Sequence, residues 1–169
     1  MKALYLIRHA KSDWSQPHQA DFDRPLNARG QRAASAMASR LARWPERPEL
    51  LLSSPACRAR QTAVAFAAAL QLPPARLWFD ARLYATGPEV LLEILQQLDG
   101  HWQGVGLIGH NPALEQLGQW LCPAAPEHLP TCALLHLRLA VPLWRALAPG
   151  CGQLQAYDFP KNPVTAAPA

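Results

Sequence analysis

Two histidines and two arginines stand where apolar runs of this chain end. Arg8 and His9 follow residues 3–7, Arg58 lies in SSPACRARQT after residues 49–53, and His110 lies in GHNP after GVGLI. A guanidinium keeps its proton and offers planar, bidentate donors to an oxyanion. A neutral imidazole can attack phosphorus and carry it as phosphohistidine. A second imidazole, protonated, can stabilise charge on the equatorial oxygens. Phosphoryl transfer asks mainly for positioning and charge neutralisation. This set supplies both, and the reading requires neither a metal nor another cofactor. A His/His/Asp metal centre fits less well, because Arg8 and Arg58 would repel a cation.

These four residues can meet only if the elements carrying them are parallel neighbours. Apolar strand-like runs alternate with helix-like stretches, the pattern of an α/β domain with a mostly parallel sheet. The first strand is expected over 3–7. A helix follows from near Asn27, with Met37, Leu41 and Trp44 on one face, and PERP ends it. After the strand at 49–53, Ser54 reads as the N-cap of a second helix, with Pro55 at its first position. LPP precedes a short strand at 76–79. A third helix spans 88–98, with Leu91, Leu92, Leu95 and Leu98 facing the core. The GVGLIG strand leads to a helix carrying Leu114, Leu117 and Leu121. Residues 133–139 and 143–147 read as two further strands, an antiparallel edge pair. Ligands of open α/β sheets bind beyond the carboxyl ends of the strands, where Arg8, His9, Arg58 and His110 would gather.

The 169 residues are half hydrophobic, enough for one core. One domain is expected over 1–160, with a flexible tail at 161–169. The net charge of +4 comes from 16 basic residues, mostly arginine and never in a long run. That argues against a nucleic-acid partner and suits a small anionic group or an acidic protein surface. The four cysteines form no C-x-x-C or zinc spacing, and no apolar run approaches the ~20 residues of a membrane span. A cytoplasmic protein with reduced thiols, not bound to a membrane, is expected. A monomer is the favoured state. Cys57 stands out because it abuts Arg58 at a helix start, where thiol pKa values tend to fall.

Four motifs in order, RHAKSDW from Arg8, DFDRPL from Asp21, SPACRARQT from Ser54 and GHNP from Gly109, resemble the histidine phosphatase superfamily. The resemblance runs over about 3–160 and is nearest to the SixA-type phosphohistidine phosphatases. Phosphoglycerate mutase-like relatives carry Arg-His-Gly, and alanine in place of that glycine is usual in the SixA-like branch. The resemblance implies a phosphoglycerate mutase-like three-layer α/β/α sandwich. It also implies His9 as nucleophile, Arg8 and Arg58 as grips on the phosphoryl oxygens, and His110 as stabiliser of the transferring group. Arg24 would touch phosphate or an acidic substrate, and Lys11, Ser12 and Asn111 are further candidates for binding. Many relatives place an acid directly before LY in the segment after the third strand. Arg82 stands there in this chain, so Asp80 or Asp21 is the candidate proton donor, or the reaction needs little acid help. The expected substrate is phosphohistidine in a signalling or phosphotransfer protein. The alternatives are a small phosphate ester hydrolysed by the same chemistry, and a non-catalytic phosphoprotein-binding module.

Overall fold

The computed structural model describes residues 1–163. Six strands form one sheet: β1 (Lys2–Arg8), β2 (Leu50–Ser53), β3 (Leu77–Phe79), β4 (Gly104–Gly109), β5 (Leu134–Leu139) and β6 (Gly152–Asp158). Their spatial order is β3-β2-β4-β1-β5-β6. The first four in that order are parallel, and β5 and β6 close the sheet antiparallel. Four helices cover it: α1 (Ala28–Leu41), α2 (Cys57–Ala69), α3 (Pro88–Gln96) and α4 (Ala113–Leu121).

Successive side chains of a strand face opposite sides of its sheet, and β1 uses both. Tyr5 and Ile7 pack with Met37 and Leu41 of α1 and Phe66 of α2. Leu4 and Leu6 pack with Leu91 and Leu95 of α3 and Leu114 and Leu117 of α4. The sheet is therefore buried between two helical layers, the three-layer α/β/α sandwich expected. Register places Arg8 opposite Gly109 across the β1–β4 pair, and Ser53 opposite Ile108 across β2–β4. The carboxyl ends of β1, β2 and β4 thus share one edge.

Several boundaries differ from the sequence reading. Residues 143–147 are not a strand. Trp144–Ala146 form a 3-10 turn that buries Trp144, and the partner of β5 is Gly152–Asp158. Ser54 does not cap α2: the helix begins at Cys57, and Pro55 precedes it. On α3 the fully buried face is Leu91, Ile94 and Leu95, while Leu92 and Leu98 sit at its margin. Of the tail, Asn162 is tied back: its carbonyl accepts from Arg40 Nη2 at 3.2 Å. Residues 164–169 of that expected tail lie outside the described residues. No helix among the described residues is long and apolar enough to cross a membrane.

Candidate active site

His9 follows the last residue of β1 and is buried. Its backbone is pinned on both sides: its N–H donates to Gly109 O at 3.1 Å, and its carbonyl accepts from Cys132 N at 3.1 Å. Its Nδ1 lies 2.7 Å from Ala10 O. A carbonyl can only accept, so Nδ1 carries the proton and the lone pair sits on Nε2. Arg58 Nε donates to that Nε2 at 3.3 Å. Burial, chiefly, lowers the His9 pKa to about 4, assisted by the charges of Arg58 and Arg8. At neutral pH the ring is uncharged, with the Nε2 lone pair turned toward a guanidinium.

His110, just past β4, sits against His9 with ring centroids 4.9 Å apart. Arg58 Nη2 lies 3.4 Å from His110 Nδ1, and Ser54 Oγ lies 2.9 Å from Nε2. A guanidinium only donates, so Nδ1 holds the lone pair and Nε2–H donates to Ser54. Burial, then the charges of His9 and Arg58, bring the His110 pKa down to about 3. Ser54, expected as a helix cap, instead orients this imidazole.

Arg8 ends β1. Its Nη1 donates to Leu129 O at 2.8 Å, while its buried Nε has no partner among the described residues. A buried, unpartnered guanidinium N–H beside two neutral imidazoles is a donor suited to an oxyanion. Arg58, in the first turn of α2, is the hub. Besides both histidines it reaches Asp21, with Nη1 to the backbone oxygen at 2.6 Å and Nη2 to Oδ2 at 2.9 Å. Tyr84 Oη donates to the same Oδ2 at 2.9 Å, and the Tyr84 ring meets His110 edge-on at 5.7 Å. Burial alone would raise the Asp21 pKa, but the donors Tyr84 and Arg58 outweigh it, so Asp21 lies below the usual carboxylate range. Its side chain is 49% exposed, on the open side of the pocket.

The four sequence motifs bind one another. Thr62 of SPACRARQT donates to Arg58 O at 2.8 Å and accepts from Ala10 N at 3.0 Å, fastening α2 to the turn after His9. Gln61 Oε1 accepts from Leu26 N of DFDRPL at 2.7 Å. Asn27, the cap of α1, accepts from Gly30 N at 2.8 Å, and its own N–H donates to Lys11 O. A Cβ at Gly30 would overlap that Lys11 carbonyl, so only glycine lets α1 approach the turn so closely.

The remaining candidates lie elsewhere. Asp80 caps the 3-10 turn after β3 and is bidentate to Arg82, with Nη2–Oδ2 at 2.6 Å. Hydrogen bonding from Arg82, the largest influence, keeps Asp80 below the usual carboxylate pKa. Arg24 is buried and holds its own loop: Nη1 donates to Gln16 O at 3.1 Å, and the guanidinium stacks 4.0 Å over the Trp14 ring. Ser12 Oγ accepts from Trp14 Nε1 at 3.0 Å. Asn111 donates to Glu115 Oε1 at 2.6 Å and to Leu129 O at 2.9 Å, steadying the carbonyl that holds Arg8. The Lys11 side chain is exposed. Thr62, Tyr84 and Ser54 are the contributors that sequence reasoning missed. Thr62 and Ser54 stood inside a quoted motif, and Tyr84 stood two residues after the position inspected for an acid. Among the described residues, no group of three or more His, Cys, Asp or Glu is placed to hold a metal ion.

Residues 4–83 match the model of the histidine phosphatase superfamily, branch 1. An uncharacterized Mycobacterium tuberculosis protein is 30% identical over 165 residues, covering 92% of this chain and all of that protein. The crystal structure of SixA from Agrobacterium tumefaciens is similar at 30% identity and a TM-score of 0.77, over 92% of this chain and 96% of that one. The protein histidine phosphatase SixA complexed with tungstate shares the fold at 24% identity and a TM-score of 0.79, over 94% and 97% of the two chains.

Proposed function

The chain belongs to the histidine phosphatase superfamily, in its SixA-type branch, and is a phosphatase; from that premise we propose that its substrate is phosphohistidine carried by a protein. In this reading His9 Nε2 attacks phosphorus in line as the substrate P–N bond breaks. The departing imidazole leaves with the bonding pair, neutral if its other nitrogen is protonated. Arg8 and Arg58 hold the equatorial oxygens of the transferring group. His110, protonated at Nδ1 once the anion is beside it, donates to a third. Water then attacks phospho-His9, releasing phosphate and restoring neutral His9.

One observation carries the choice of substrate. Both candidate proton donors are held ionised: Asp21 by Tyr84 and Arg58 against its partial burial, and Asp80 by Arg82. An alkoxide leaving group needs a proton in the transition state, and a positioned general acid is worth about 10²–10⁴ in rate. An imidazole whose other nitrogen already carries a proton leaves as a neutral, far weaker base, so the substrate ring itself supplies the proton that an alkoxide would have to take from an enzyme acid. The half-exposed Asp21 and Tyr84 leave the mouth open, which suits a phosphate presented on a protein surface. All four cysteines are free thiols, in keeping with a cytoplasmic setting. Residues 1–160 act as one catalytic domain in this account.

The test compares kcat/KM on a phosphohistidine-bearing protein with that on glycerol phosphate, in buffer containing EDTA. The reading expects a preference of roughly a hundredfold or more for phosphohistidine, the share of rate a missing acid removes. Equal rates on both would favour a general phosphomonoesterase of the same mechanism. Tight binding without turnover would favour a phosphoprotein-binding module.

A further inference from the structure

Beside the pocket runs a groove of about 330 Å³ lined by three exposed cations, Lys11, Arg29 and Lys161, together with the apolar side chains of Ala33, Pro130 and Phe159. Among the described residues no acidic one lines it. Among the described residues none of the three cations forms an ion pair; the Lys and Arg ion pairs are those of Arg40, Arg58, Arg82 and Arg138. Three cations along a single apolar trough, with no carboxylate among its lining residues, make a surface of one sign.

The groove is built from the same segments that hold the reacting residues. Lys11 lies two residues beyond His9. The 129–132 segment, which supplies Pro130, receives Arg8 Nη1 on the Leu129 carbonyl and gives the Cys132 N–H to the His9 carbonyl. Arg29 stands in the first turn of α1, the helix seated on the Lys11 carbonyl through Asn27.

We propose that this groove docks an acidic segment of the phosphohistidine-bearing protein, and so selects which phosphohistidines are hydrolysed. The inference rests on the phosphohistidine reading above. Charge complementarity names the occupant: carboxylates meet Arg29, Lys161 and Lys11, while apolar residues between them rest against Phe159 and Pro130. The mixed apolar lining favours a polypeptide over the uniformly charged backbone of a nucleic acid. Contacts of this rim type act mainly on encounter and are weakened by salt.

The experiment uses the full chain and two synthetic phosphohistidine peptides of equal length, one flanked by glutamates and the other by glutamines. At low ionic strength kcat/KM for the acidic peptide should exceed that for the neutral one by about tenfold, and the gap should close at high salt. The double variant Arg29→Glu, Lys161→Glu should lose the preference while hydrolysing the neutral peptide and p-nitrophenyl phosphate at the wild-type rate. If both peptides are hydrolysed alike by the wild type, or the double variant keeps the preference, docking at this groove is refuted and the phosphohistidine reading stands. If neither peptide is hydrolysed while p-nitrophenyl phosphate is, both readings fall together.

Discussion

Filling the pocket with an oxyanion should draw a proton onto His110. Its Nε2–H is committed to Ser54 Oγ, and its Nδ1 lone pair faces Arg58 Nη2 at 3.4 Å. A lone pair offers nothing to a bound phosphoryl oxygen, so His110 can assist only after Nδ1 is protonated. Burial and the charges of His9 and Arg58 set its pKa at about 3. A unit negative charge about 4 Å away, at an effective dielectric constant near 20, contributes about 4 kcal/mol. That is roughly three pKa units, enough to carry His110 from about 3 to near neutrality. Sulfate is a suitable probe because it stays a dianion across this range. Its affinity should be nearly flat in mildly alkaline buffer and then tighten as pH falls below neutrality, approaching tenfold per pH unit for each proton taken up. Isothermal titration calorimetry in buffers of different ionisation enthalpy counts those protons directly. His9 can take up a proton too, so the variant His110→Gln isolates the share of His110: it should bind sulfate with about one proton fewer on the acid side. If the wild type and His110→Gln show the same uptake, or if wild-type affinity does not change with pH, the reasoning about His110 is wrong.

Other consequences are equally specific. Thr62→Val removes the acceptor of the buried Ala10 N–H and should cost about 1–3 kcal/mol in a urea titration; it should also slow turnover, and Thr62→Ser should restore both. Asp80→Asn should leave kcat/KM within about twofold, because Asp80 is paired at the surface with Arg82. Asp21→Asn, which weakens the charge-assisted hold on Arg58, should lower it by about tenfold; the opposite ranking would make Asp80 the proton donor. Acid should destabilise the fold. His9, His110 and His136 have folded pKa values of about 4, 3 and 4, below the ordinary 6.5. The unfolded chain therefore binds more protons between pH 6.5 and about 4. The stability these histidines contribute is complete above 6.5 and is lost as pH falls toward 4, by about 1.4 kcal/mol per pH unit for each histidine. A urea midpoint equal at pH 7 and pH 5 would contradict this.

Much of the fold is legible in the sequence because the inner strands β1, β2, β4 and β5 are buried on both faces and α1, α3 and α4 each carry one apolar stripe. Continuous runs such as LYLI and GVGLIG admit few other readings, and the steps between Leu114, Leu117 and Leu121 fit one helix face. The sheet edge is where legibility fails. β6 reads GQLQAYD and is only partly buried, so neither apolar alternation nor an apolar run marks it. The apolar 143–147 instead follows a different demand, burying Trp144 in a tight turn. Within the pocket, the residues at strand ends are visible because topology alone gathers them. The supporting contacts are not. Whether Arg24 reaches phosphate or stacks on Trp14 depends on the path of a loop, and Tyr84 joins Asp21 to His110 across a separation of 63 residues that no periodicity records.

The central claim is that His9 carries the phosphoryl group. Mixing enzyme with substrate, quenching in alkali within a turnover and mapping peptides by mass spectrometry tests it directly. The account predicts one phosphate, on His9, stable to base and lost in acid, and predicts that His9→Ala forms none and is inactive. Phosphate found on another residue, or full activity in His9→Ala, would contradict it.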